Sequence, residues 1–516
     1  MANRLARWLL ARRSSPRLAF LLQIGCRVLT SVLSFLWIPL LLGSMGKALN
    51  GLLLNFQSIA SMGGLGDLGM GGLVNIQTSR LLGQGKEEEL RRFLAAARAF
   101  FGVMALVVGG VFLVIAPGLL RWQKFDAVPG VGSLAGLCII GTLAIMLVLW
   151  SSYITNLNYG CGNVVWPVVP AFVIMQLGFL GHWLLARKGV ALWVQYLPYQ
   201  TGAVLVFLLG WVWIRLSHPS LGTLRPLVLD WRQFLSLAGK GFWVYLYCMA
   251  AGVVATTSGM LLTAGFGPDV LPTYRYNGKL CELTIFVMVS AGTASLPKIT
   301  QWLASPEAAT RQRAVREAER LNQFQTLLGC TGALVYLAVN DWFIQFWLGK
   351  SLHAPLSWQA AFAASLAICC AGQAGFDLAA RCCDQGIRVG GLTAALMALL
   401  NLGLSLVAMK LGSVFGIALA AVISQSAVLL GVGWYSCRRI KMSWWRLSLR
   451  NWLLALAVTG LGITMRILMP VHSALAGGIT AGIYLATIVL IAFLLGIKIR
   501  DVRQEIVILR SIFGGV

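Results

Sequence analysis

Arg275, Lys279 and Glu282 stand at i, i+4 and i+7 inside an otherwise apolar run, a spacing that puts all three on one face of a helix. Two cations against one carboxylate leave an excess charge that a dry interior does not tolerate. The stripe therefore faces water or an anion, or it resolves into an internal Lys279–Glu282 pair with Arg275 snorkelling outward. Arg27, in QIGCRVL, sits about ten residues into the first apolar run, roughly 15 Å deep at 1.5 Å per residue. Lys240, in LAGKGFW, repeats that placement further along the chain. Asp67 is the one carboxylate within the glycine-dense stretch GGLGDLGMGG, where a charge in hydrocarbon must face a bundle interior or a water-filled cavity. Arg27 either pairs with Asp67 for structure or lines a cavity for an anion. Asp67, Glu282 and Asp377 are accordingly charge partners of these cations or binders of a coupling proton or sodium ion, and the residues alone select neither.

Other chemistries find no support. No P-loop, GxSxG, HExxH or paired-acid constellation with an extramembrane home is present. The four histidines (His182, His218, His353, His472) are scattered, and His182, near a helix end, reads as a hydrogen-bonded interfacial residue. The eleven cysteines show neither metal-ligand spacing nor a disulfide framework, and read as packing residues. No catalytic residue, metal site or cofactor is expected, so an enzyme is not.

The elements that must carry these charges are long apolar segments. The 516 residues are 58% hydrophobic and only 11% charged, with mean hydropathy +0.80; a soluble chain carries roughly a quarter charged residues. Runs of about 20 apolar residues recur almost without pause, each enough to cross a ~30 Å hydrocarbon layer. They are too long and continuous for barrel strands. The expected fold is an all-α polytopic membrane protein with about 14 transmembrane helices, at 18–43, 50–79, 93–116, 133–155, 167–186, 191–214, 234–263, 270–297, 321–348, 355–380, 391–411, 413–436, 451–469 and 473–496. The glycines Gly63, Gly64, Gly66, Gly69, Gly71 and Gly72 are expected to let neighbouring helices approach closely. Beyond them, Glu87–Arg91 and Glu88–Arg92 form i,i+4 pairs of a short charged connector.

Charge sets the orientation. With the N-terminus inside, the cytoplasmic ends collect the N-terminal arginines, the basic stretches 80–92, 215–232, 298–320, 438–450 and 498–510, and Arg381 and Arg388. The outside is left with Lys47, Arg121, Lys124, Arg187, Lys188, Lys350, Lys410 and Arg466. This is a positive-inside pattern with both termini cytoplasmic. The net charge of +25 is thereby explained as a cationic fringe attracted to anionic membrane lipids, without nucleic acid. Residues 1–17 read as a basic interfacial arm rather than a signal peptide. The Pro-containing connector before residue 233 separates an N-lobe, 18–232, from a C-lobe, 233–450, whose opening helices echo those of the first: GSMGKAL joins helices 1 and 2 as GFGPDVL joins 7 and 8. Residues 451–516 add two further helices, packed outside one half or flanking a lipid-exposed groove, and a basic tail.

The segment GLGDLGMGGLVNIQTSRLLGQGKEEELRRFLAAA resembles the polysaccharide or O-antigen flippase family (Wzx-like), within the superfamily that also holds multidrug exporters and lipid II flippases. The match is strongest over residues 66–92; elsewhere it rests on the number of spans and the charged loop after helix 8. The resemblance implies two six-helix lobes around a central cavity plus two peripheral helices, in the cytoplasmic (inner) membrane. It implies translocation of an undecaprenyl-diphosphate-linked oligosaccharide by alternating access, for cell-surface polysaccharide biosynthesis, with glycosyltransferases and a polymerase of the same pathway as partners. The substrate-binding role then falls on Arg27, Lys240, Arg275 and Lys279. The arginine–aspartate pattern of lipid II flippases near the start of helix 1 is not present, which argues against a peptidoglycan precursor. An ion-coupled multidrug exporter of the same superfamily is the alternative; its cavity should be acidic or neutral. A membrane-embedded glycan transferase or polymerase needs larger outside loops than residues 117–132.

Overall fold

The computed structural model describes residues 16–163, 168–221, 242–243, 246, 256–303, 307–382, 386–440, 442–468, 482–484 and 486–491. Among these residues every regular element is helical, and nine helices are long and apolar enough to cross a membrane. The chain is a multi-pass all-α membrane protein. Apolar side chains stand open on the helix surfaces, as on Val107, Val111 and Val114, the last 80% exposed. Such faces are stable only against lipid. The chain divides into two compact units, Met1–Tyr245 with Leu262–Leu271, and Leu246–Leu261 with Pro272–Val516.

In the first unit, α1 (Pro16–Ser61) carries the first predicted span and the first part of the second as one element broken at Gly46, whose φ of 75° and ψ of 173° lie within the predicted GSMGKAL junction. The second predicted span is not one helix. It passes through a 3-10 turn, Met62–Asp67, then through two left-handed residues, Leu68 (φ 49°) and Gly69 (φ 76°), before α2 (Met70–Gly83) begins. For glycine that conformation is free; for Leu68 it costs about 1–2 kcal/mol, so the surroundings must enforce it. α3 (Glu87–Trp122) starts inside the charged connector, so Glu87, Glu88 and Glu89 form its first turn, where acids complement the helix dipole. The predicted pairs are present, Arg91–Glu87 at 3.6 Å and Arg92–Glu88 at 3.8 Å. α4 (Leu134–Gly160) is capped by the Ser133 hydroxyl, which accepts from Gly136 N–H. α5 (Val168–Arg187) and α6 (Leu197–Ser217) follow in the same unit. Its core joins Met70 and Val74 of α2, Leu90, Phe93 and Phe101 of α3, and Leu149, Tyr153 and Leu157 of α4.

The glycines do bring helices together, but not all of them. A Cβ on Gly63 would lie 2.8 Å from the Ile145 backbone, and one on Gly66 would lie 2.9 Å from Val108. Gly72 has open space.

The second unit holds α7 (Val270–Asn277) from Pro272 onward, α8 (Lys279–Leu303), α9 (Ala308–Leu348), α10 (Leu356–Cys382), α11 (Gly386–Lys410), α12 (Val414–Ile440) and α13 (Arg450–Leu468). α9 begins well before the predicted start of its span, because nothing between the charged stretch and the apolar run breaks a helix. The predicted split between helices 11 and 12 falls at Gly412 (φ 68°). Cys330, Leu334 and Leu337 of α9 pack on Leu366, Ile368 and Cys370 of α10 and on Leu429 and Val432 of α12. α13 packs against α9 and α10.

Candidate functional site

Asp67 ends the 3-10 turn of the broken span. Gly71 N–H, in the first turn of α2, donates to its Oδ1 at 2.6 Å. The Ser152 hydroxyl of α4 donates to Oδ2, also at 2.6 Å. Asn156, one turn further along α4, donates from Nδ2 to the Ser152 carbonyl at 2.9 Å and to its hydroxyl oxygen at 3.4 Å. Asp67 thus acts as the cap of α2 and as its tie to α4. Gly71 makes this possible: a Cβ there would lie 2.6 Å from Asn156 Nδ2, 2.7 Å from Asp67 Oδ2 and 2.7 Å from Ser152 Oγ. Among the described residues no Lys or Arg lies within ion-pairing distance of Asp67.

The predicted cationic stripe is interrupted. Gly278 separates α7 from α8, so Arg275 ends one helix while Lys279 and Glu282 open the next. Lys279 Nζ lies 2.6 Å from Glu282 Oε2, with the glutamate side chain half exposed. That is the internal pair of the two readings raised by the spacing. The break is stapled from behind by buried amides. Asn277 donates to the Thr273 carbonyl at 2.7 Å and to the Leu352 carbonyl at 2.8 Å, and accepts from Asn340 at 3.0 Å. Of the other site residues, Lys240 lies outside the described residues. Arg27 is on α1 and Asp377 on α10, and their side chains also lie outside what is described.

A second carboxylate went unnoticed in the sequence. Asp341, near the end of α9, accepts at Oδ1 from His353 Nε2 (2.7 Å) and from the Gln359 amide, and its Oδ2 meets the Arg466 guanidinium of α13. Gln359 also donates to the Ala354 carbonyl at 2.9 Å. The Asp341 and Arg466 side chains are 18% and 17% exposed, so the pair is largely desolvated. The available signal was an acid and a base each placed inside the C-terminal end of an apolar span, which is itself reason to look for a partner. His182 is hydrogen-bonded as expected, its Nδ1 2.7 Å from the Gln195 carbonyl, and its side chain is fully buried. Among the described residues no group of His, Cys, Asp and Glu could hold a metal, and the described cysteines are free thiols, most of them buried.

No protein-family model and no curated protein sequence matches the chain. Solved structures do. Lipid II flippase MurJ in an inward closed conformation superposes with TM-score 0.66 at 14% identity, covering 92% of this chain and 98% of that one. An inward-facing multidrug resistance MATE family transporter of the MOP superfamily superposes with TM-score 0.52 at 12% identity, covering 84% and 98%. At these identities the likeness establishes the fold: the chain has the all-α architecture shared by these MOP-superfamily structures.

Proposed function

We propose that the chain is a flippase that moves an undecaprenyl-diphosphate-linked oligosaccharide across the cytoplasmic membrane by alternating access, for cell-surface polysaccharide biosynthesis. The observation that carries this reading is the set of cations placed inside spans, Arg27, Lys240 and Arg275, on a chain with a MOP-type fold. A diphosphate crossing hydrocarbon needs a wet, cationic path, while its polyprenyl tail remains in lipid. Arginine's planar fork suits phosphate oxygens better than a point charge does. Lys279 shares its charge with Glu282, so it joins the substrate path only when that pair opens. Both termini are assigned to the cytoplasm, glycosyltransferases and a polymerase of the same pathway are the expected partners, and no cofactor is invoked.

The test reconstitutes the purified chain in vesicles with a polyprenyl-diphosphate oligosaccharide and follows the appearance of the glycan on the opposite leaflet. Arg27→Ala and Arg275→Ala should each slow translocation by about tenfold or more, the equivalent of one charge-assisted hydrogen bond, while the protein remains in the membrane. Normal surface polysaccharide in cells carrying both substitutions overturns the assignment. Loss of cationic-drug efflux on gene deletion, with no lipid-linked glycan accumulating on the inner face, selects the multidrug-exporter reading instead.

A further inference from the structure

The break in the second span and the carboxylate at its end are a single device, and the flippase reading does not use it. Both Asp67 oxygens are met by neutral donors, Gly71 N–H on one side and Ser152 O–H on the other. Donors surround the carboxylate, an arrangement that suits its ionised form. Among the described residues the packed elements place no Lys or Arg within ion-pairing distance of it. α4 carries no Asp, Glu, Lys, Arg or His at all. α3 contributes the buried Arg98. α2 contributes Arg80 in its last turn, and α1 holds Lys47 beside the Gly46 break and Arg27. A lone carboxylate in a membrane span, held only by neutral donors, is a group that a proton can discharge.

The backbone around Asp67 is correspondingly poised between two shapes. Leu68 is one of two non-glycine residues with positive φ among the described residues, and it directly follows the carboxylate that caps α2. Remove the cap and nothing in the local sequence holds Leu68 left-handed.

We propose that Asp67 is a proton-controlled joint of the second span. Ionised, it holds the Met62–Gly69 break by accepting from Gly71 and Ser152. On protonation, hydronium gives its proton to Oδ2 and leaves as water; the new O–H lies against the Ser152 hydroxyl, which either turns to accept from it or stays as a weaker donor to a neutral oxygen. The tie from α2 to α4 is then exchanged for a weaker one, and the first turn of α2 is free to realign with the helix before it. The inference requires only that the chain spans a membrane, not the substrate assigned above.

The test uses the full chain in lipid vesicles, without any transport substrate. Infrared difference spectra across a pH titration should show a protonated-carboxyl band that Asp67→Asn lacks and that Ser152→Ala alters in frequency. Spin labels at Gln84, beyond α2, and at the exposed Leu143 of α4 should report a distance change over the same pH interval in the wild type. That change should be absent in Asp67→Asn and displaced by about one pH unit in Ser152→Ala. A carboxyl band that Asp67→Asn retains in full, a distance that ignores pH, or one that responds to sodium ions at constant pH overturns the proposal. Should Asp67→Asn fail to fold, Ser152→Ala decides: a band and transition identical to the wild type overturn it as well.

Discussion

Asp67 and Asp341 are the same side chain in the same kind of solvent, yet they are held by opposite means. Asp67 is met by a backbone N–H and a hydroxyl, with no basic side chain within ion-pairing distance among the described residues. Asp341 is gripped by Arg466, His353 and Gln359 from three separate parts of its unit. The difference is one of what happens when charge is removed. Discharging Asp341 would strand a guanidinium that is itself mostly buried, so its ionisation is locked to the packing of α13 on α9. Discharging Asp67 strands nothing and changes only who donates to whom. One acid is a rivet and the other a hinge pin.

The contrast can be broken most forcefully at the rivet. Arg466→Met should lower stability by about 3 kcal/mol, because it leaves Asp341 without its charged partner. Asp341→Leu combined with Arg466→Met should recover most of that loss, and thermal unfolding in detergent measures both. A single variant as stable as the double one would mean that Asp341 is solvated and that the two acids do not differ.

At the hinge, Gly71→Ala places a methyl 2.6 to 2.7 Å from three polar atoms. It should destabilise the chain by about 1–3 kcal/mol. The neighbouring Gly72→Ala, with open space around its Cβ, should be neutral or stabilise by up to about 1 kcal/mol through helix propensity. If the two substitutions behave alike, the close approach of α2 and α4 does not constrain Asp67.

The smallest effect sharpens the scale on which the others are read. Glu88→Ala removes a pair whose arginine is 76% exposed, and should change the melting behaviour by no more than a few tenths of a kcal/mol.

Much of this architecture could be read from the residues. Apolar runs of span length, the junctions at Gly46 and Gly412, and the acid-led pairs at Glu87 and Glu88 are local signals, because helix periodicity and glycine's conformational freedom act within a few residues. The break after Ser61 was not legible. The run GGLGDLGMGG satisfies a continuous apolar helix as well as a broken one, and only Ser152, supplied by a distant helix, gives the Asp67 carboxylate a reason to stop the turn. The stripe at Arg275, Lys279 and Glu282 was legible as a cluster and its i,i+3 Lys279–Glu282 pair as one of two readings, while the contacts of Asn277 with Asn340 and the Leu352 carbonyl were not, because they lie 63 and 75 residues away.

What the amino-acid order determined by itself is that this chain lives in a bilayer and buries charge there, since hydropathy and the absence of soluble-domain composition leave no other class. What the tertiary structure alone decided is which charge is answered by what. A carboxylate's partners across helix contacts lie at arbitrary sequence separation, so Asp341 finds Arg466 on α13 and Asp67 finds Ser152 on α4. The physical reason is the range of the interaction: helix formation is settled over a turn or two, but neutralising a charge in hydrocarbon depends on whichever side chain the packing brings within hydrogen-bonding distance.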